Sequence, residues 1–231
     1  MASSKNPEIK ACNRDKTVPR DDSSLKLAAD SCRSEAARLF LIRHGKPQQH
    51  SDRIFLGQTD VPLSKLGREE ALTASSELAR LSCRFDRIYS SDLLRARETA
   101  EVISASFGGV DIVKVAAFRE LNMGIWDGEF IEDIRRRFPD EYVKRGEDIL
   151  NYRTVGGENF HDLRGRVVNE YNRILREEFF PSLRAGGLAD LLIVSHLGVI
   201  HTLIAELTRE DMSAVMKLRW PTGAVIQIEL E

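Results

Sequence analysis

A chain of 231 residues is long enough for one core with an appendage and short for two ordinary domains. Hydrophobic residues make up 42% of it, enough to fill one interior without disulfide or metal staples. The 34 basic side chains nearly balance 36 acidic ones, which excludes a protein built to coat nucleic acid or an anionic membrane but leaves room for a small basic pocket.

Residues 1–35 are rich in Ser, Asp, Lys and Arg, broken by Pro7 and Pro19, and carry too little apolar surface to offset their ordering entropy. They read as a flexible leader to a domain at 36–231. A docking helix over 24–37 is the competing reading, with Leu25, Ala28 and Ala29 on one face. Residues 38–43 hold four successive apolar side chains, the pattern of a strand buried on both faces, and end at His44-Gly45. Ser64 is placed to cap a helix whose Ala71, Ala74, Leu78 and Leu81 share a face. A strand at 85–89, a helix capped by Ser90-Ser91-Asp92 and a strand at 110–117 follow.

Between residues 122 and 157 the pattern changes to short helical pieces at 131–138 and 141–145, separated by Pro139, Gly146 and Gly156-Gly157, and reads as an inserted cap. A long helix then carries Phe160, Leu163, Val167, Tyr171, Ile174 and Phe179 on one stripe until Pro181 and Gly186-Gly187. A buried strand at 191–194 ends in Ser195-His196, and a helix at 198–207 and a strand at 224–230 complete the chain. The expected class is α/β, in three α/β/α layers with a mostly parallel central sheet and a short helical cap insertion.

Cys12, Cys32 and Cys83 are odd in number and form no C-x-x-C pair, so neither a disulfide framework nor a zinc site is expected. No apolar run reaches the roughly 18 residues of a membrane span, and residues 1–35 lack an apolar signal region. The expectation is a soluble cytoplasmic protein, monomer or homodimer.

Two apolar strands finish in histidine, His44 and His196, and ligands of open α/β sheets bind outside the carboxyl ends of strands, so both can meet in one crevice. Taken singly, each reads first as a structural histidine hydrogen-bonded at a strand end; two in the same setting favour the shared crevice. Arg43 and Gly45 set a cation and a bare backbone beside the first imidazole. Leu197-Gly198 sets the free N–H groups of a helix start beside the second. Phosphate suits both.

Four segments, Leu41-Ile42-Arg43-His44-Gly45, Ser90-Ser91-Asp92-Leu93-x-Arg95-Ala96, Arg119-Glu120-Leu121-x-x-Gly124 and Val194-Ser195-His196, resemble the histidine phosphatase superfamily, the phosphoglycerate-mutase-like enzymes, in order and spacing. The resemblance covers about 38–231 and extends to Gly57-Gln58-Thr59-Asp60-Val61-Pro62-Leu63-Ser64-x-x-Gly67 and Trp126-Asp127-Gly128. It implies that His44 is the nucleophile that becomes phosphorylated, Glu120 the proton donor, and Arg43, Arg95 and His196 the phosphate clamp. It further implies a hydrolase for a small phosphoester, with no metal or other cofactor. Several cations are needed: phosphomonoester hydrolysis can demand accelerations near 10²¹, roughly 28 kcal/mol, against about 4 kcal/mol for one charge at ~4 Å in an effective dielectric of 20.

The chain departs from the family pattern at Lys46, where an acid is frequent, and at His50, where a residue such as Asn helps bind phosphate; His50 is therefore a candidate contact. Leu197 replaces a frequent Gly, keeping the backbone donor and adding an apolar wall. Gly57, Gln58, Leu197 and Gly198 complete the candidate substrate contacts. Gly157-Glu158-Asn159 resembles the family's Gly-Glu-Ser turn, and Asn159 reads equally as a helix cap. The loop at 46–56 and the cap at 122–157 should set specificity, with Arg53, Phe55, Met123, Trp126 and Tyr152 as candidate walls. Mutases of the family carry a longer insertion after the proton donor, so hydrolysis is expected, and the short cap is similar to that of α-ribazole phosphatases of cobalamin assembly. Mutase-type phosphoryl transfer and a silent phospho-ligand-binding module are the alternatives.

Overall fold

The computed structural model describes residues 9–11, 37–48 and 53–230. His50, Cys12, Cys32 and nearly all of the leader and its alternative helix lie outside them. Six strands form one sheet in the order β1-β8-β2-β7-β4-β5: β1 (Ile9–Ala11), β2 (Ala37–Arg43), β4 (Ile88–Ser90), β5 (Ile112–Lys114), β7 (Asp190–Ser195) and β8 (Val225–Leu230). The remaining two, β3 (Ile54–Phe55) and β6 (Glu129–Phe130), pair as a separate antiparallel ribbon. Strands β2, β7, β4 and β5 run parallel; β8 lies antiparallel to β2, and β1 to β8. Strand β1 corrects the leader locally: its backbone takes up the N–H and C=O groups that β8 would otherwise present at an open edge.

Alternation along the central strands divides the interior in two. Leu39 and Leu41 of β2 and Leu191 and Ile193 of β7 face one layer, and Phe40, Ile42, Leu192 and Val194 the other. The first layer is closed by α5 (Phe160–Ile174) and α7 (Leu197–Thr208), the second by α1 (Lys65–Arg80) and α2 (Leu94–Ser106). Both faces of the sheet are covered, which is why these strands read as continuous apolar runs. The register of β2 on β7 is pinned by Arg38, whose guanidinium forks onto Asp190 at 2.6 and 2.8 Å.

Ser64 caps α1 by accepting from the Gly67 N–H, and Asn159 caps α5 in a reciprocal box with Asp162. The expected Ser90-Ser91-Asp92 cap is not formed. Leu93 is the N-cap of α2, the Leu94 N–H is taken by Asp60 from another loop, and Asp92 instead pairs with Arg119. The stripe through Phe179 also proceeds differently. Residues 175–179 form a π turn before α6 (Phe180–Arg184), because Ile174 and Phe179 are five apart and only the wider turn returns both to the core. Pro181 therefore opens α6 rather than ending the helix.

The cap holds α3 (Ile131–Arg137) and α4 (Pro139–Glu147), and α8 (Met212–Val215) follows α7. The cap's two ends meet: Glu158 N–H donates to Asn122 O at 2.8 Å, Ile125 N–H to Val155 O at 3.1 Å, and the Thr154 hydroxyl to Met123 O at 2.7 Å. Among the described residues no helix is long and apolar enough to cross a membrane.

Candidate active site

Three neighbouring strands deliver the site. Because Arg43 pairs with Ser195, the next residues out, His44 and His196, stand side by side beyond the ends of β2 and β7; Ser90 pairs with Val194, so Ser91 emerges beside them from β4. The ring centroids of His44 and His196 are 5.0 Å apart at 59°, close enough to share one tetrahedral anion. Both rings are buried, as is Arg95, which is 1% exposed.

The hydrogen bonds assign a tautomer to His44. Its Nδ1 lies 2.7 Å from Gly45 O, which can only accept, so the proton is on Nδ1. The Arg95 Nε–H points at Nε2 from 3.3 Å, as a donor points at a lone pair. Nε2 of His44 is thus bare and faces the guanidinium. At His196, Ser91 Oγ is 2.8 Å from Nε2 while accepting from the Leu93 N–H, and its own hydrogen is free to donate. That assignment puts the imidazole proton on Nδ1, a buried atom without a protein partner.

Arg95 is held by two carbonyls, Gly57 O at 2.7 Å and Thr59 O at 2.8 Å. Gly57 stands at φ +48 with Asp127 packed where a side chain would begin, so only glycine fits there. Arg43 donates to Trp220 O at 2.6 Å and keeps its buried Nε without a protein partner. Burial draws both guanidinia below their ordinary range, Arg95 to about 10, and the Glu120 charge opposes this in each. Both remain cations at neutral pH. The unpartnered donors of Arg43 and His196 are the groups an oxyanion would satisfy.

Glu120 accepts from the Leu121 N–H at 2.8 Å and from the Gly198 N–H at 3.3 Å, so the start of α7 reaches the carboxylate. A side chain at Gly198 would collide with Glu120. Gln58 comes to the same place, and its side-chain amide donates to Glu120 O at 2.9 Å. Leu197 opens α7 beside His196. Trp126 and Met123 correct the list of walls: they are buried in the core, and Trp126 stacks on Phe55 and Tyr152. Thr99, which receives the Gly45 N–H, and Arg166 on α5 were not singled out by sequence; the only signal for Arg166 is an arginine on the margin of an apolar stripe. Among the described residues no group of three or more His, Cys, Asp or Glu is arranged to hold a metal ion.

Burial, then Arg95, holds both His44 and His196 well below the usual imidazole value of 6.5. The folded protein therefore resists protons that the unfolded chain accepts, so this part of its stability is complete above pH 6.5 and is lost as pH falls. Between pH 7.5 and 5.5 the loss should reach at most about 1.4 kcal/mol per histidine. Thermal unfolding across that range should show a falling midpoint, a shallower fall in His196→Asn, and a shallower fall with inorganic phosphate, whose charge favours the imidazolium. A midpoint independent of pH would contradict the burial argument.

The chain matches the Histidine phosphatase superfamily (branch 1) over residues 39–231. A 2,3-bisphosphoglycerate-dependent phosphoglycerate mutase of Bartonella tribocorum is 32% identical over 190 residues, which are 81% of this chain and 89% of that one. The alpha-ribazole phosphatase of Shigella flexneri superposes with a TM-score of 0.73 at 26% identity, covering 84% of this chain and 91% of the other. A mycobacterial glucosyl-3-phosphoglycerate phosphatase superposes at 0.70 with 27% identity, covering 83% and 89%. An alignment spanning 89% of a mutase leaves little room for a long insertion that this chain lacks, so insertion length does not separate hydrolysis from transfer.

Proposed function

This chain belongs to branch 1 of the histidine phosphatase superfamily, and from that premise we propose that it is a cytoplasmic phosphomonoester hydrolase working through a phosphohistidine on His44. In the first step Nε2 attacks phosphorus, the bond to the ester oxygen breaks, and Glu120 gives its proton to the departing alkoxide. In the second, the Glu120 carboxylate takes a proton from water as the water oxygen attacks phosphorus; the P–N bond breaks and inorganic phosphate leaves. Arg43, Arg95 and His196 bear the oxygens through both steps, and no metal is called on. The observation that carries the reading is the bare Nε2 of His44, aimed at the Arg95 guanidinium 3.3 Å away.

The likeness to two phosphatases supports hydrolysis of a small metabolite, with α-ribazole 5′-phosphate the first substrate to try. The 32% identity to a mutase supports a second reading, phosphoryl return to a bound phosphoglycerate. Both are separated by supplying α-ribazole 5′-phosphate, glucosyl-3-phosphoglycerate, 3-phosphoglycerate primed with 2,3-bisphosphoglycerate, and p-nitrophenyl phosphate, each with and without EDTA. Phosphate release that EDTA leaves unchanged is the expected result. Interconversion of phosphoglycerates faster than phosphate release would favour the mutase, loss of activity with EDTA would overturn metal independence, and no turnover with no label on His44 would indicate a silent binding module.

A further inference from the structure

We propose that Arg166 is a positioning residue for the proton donor, acting with Glu158 as a clasp on the backbone that carries Glu120. This deepens the hydrolase reading and rests on it. The Glu120 carboxylate receives two backbone N–H groups, and among the described residues no side chain donates to it. Its place is therefore set through its main chain, where the segment 117–122 has no helix or strand of its own beyond one short turn.

Arg166 supplies that constraint from a rigid element. Standing on α5, it donates through Nη1 to Ala117 O at 2.6 Å and Arg119 O at 2.8 Å, and through Nη2 to Glu120 O at 2.9 Å. Its Nε and Nη2 also fork onto the Glu158 carboxylate at 2.8 and 2.9 Å, which orients the guanidinium plane. Glu158 in turn takes the Asn122 N–H at 3.0 Å, so the same pair grips the segment on both sides of Glu120. A planar fork with five donors can satisfy this set; the single ammonium of lysine cannot. The carbonyls of Ala117, Arg119 and Glu120 converge on α5 much as an oxyanion converges on an arginine, but here the cation holds an acid in register with the leaving group.

The test exploits leaving-group chemistry. p-Nitrophenolate departs as a stable anion and needs little protonation, whereas an alkoxide needs the proton of Glu120. Arg166→Ala should slow hydrolysis of an alkyl phosphate such as glycerol 3-phosphate by about 10²-fold while slowing p-nitrophenyl phosphate about threefold at most, since a general acid contributes chiefly where the leaving group is poor. Arg166→Lys should show nearly the same alkyl-to-aryl discrimination, and Glu158→Gln the same direction with a smaller ratio. Equal slowing of both esters in these variants, or restoration of the wild-type ratio by lysine, would overturn the inference, because general loosening of the fold does not discriminate between leaving groups. Wild-type protein that hydrolyses neither ester would overturn the hydrolase reading, and the positioning role with it.

Discussion

Replacing His44 with alanine should lower turnover by at least about 10⁴-fold, because the covalent route is lost and water must then attack the ester directly. The clamp stays in place: Arg43 and His196 keep their unpartnered donors, so the variant should still bind inorganic phosphate. The Arg95 Nε–H loses its acceptor in a buried setting, and the fold should be weakened by about 1–3 kcal/mol as a result. Rapid quenching with labelled ester measures the first effect, and the quench must be alkaline, since acid cleaves the P–N bond of phosphohistidine. Label on the wild type and none on the variant is the expected pattern. Residual turnover within tenfold of wild type would place the nucleophile elsewhere.

Arg95→Ala should cost about 10²–10³ in kcat/KM, the usual range for removing one oriented donor from a developing oxyanion. It should also destabilise the protein more than a surface arginine change, because Gly57 O and Thr59 O both lose their buried donor, at about 1–3 kcal/mol each. Arg95→Lys keeps the charge but reaches one carbonyl, so it should recover part of the activity and little of the stability. A third readout has a definite sign. Arg95 helps depress the pKa of both histidines, so its removal lets them rise, and the acid limb of the kcat/KM profile should move to higher pH. Chemical denaturation and a pH–rate series report these separately; an unshifted acid limb would show that the guanidinium does not act on the imidazoles.

What was legible in the sequence followed from periodicity and from chain order. Buried strands such as β2 and β7 announce themselves as apolar runs, and each ended in the histidine that the fold brings to the site. Elements that depend on partners far along the chain were not legible. Strands β3 and β6 are two residues each and exist because they pair with each other. Asp92 looks like a helix cap until Arg119, 27 residues away, takes its carboxylate. Arg166 was not legible because the three carbonyls it holds lie 46 to 49 residues upstream, and its ion pair with Glu158 reads from sequence as an ordinary charge pair. Gln58 lies beside Glu120, but its amide donates to the carbonyl of that residue, an orientation that residue type alone does not determine.

The excursion between Asn122 and Glu158 leaves and rejoins the body at one neck, stitched by Asn122, Met123, Ile125, Thr154, Val155 and Glu158, and is tied to it again where β6 pairs with β3 and where Asp127 takes the Gln58 N–H. Length changes confined to α3 and α4 would leave both ties standing, whereas a change at Asp127 would press on Gly57 and so on the carbonyl that holds Arg95.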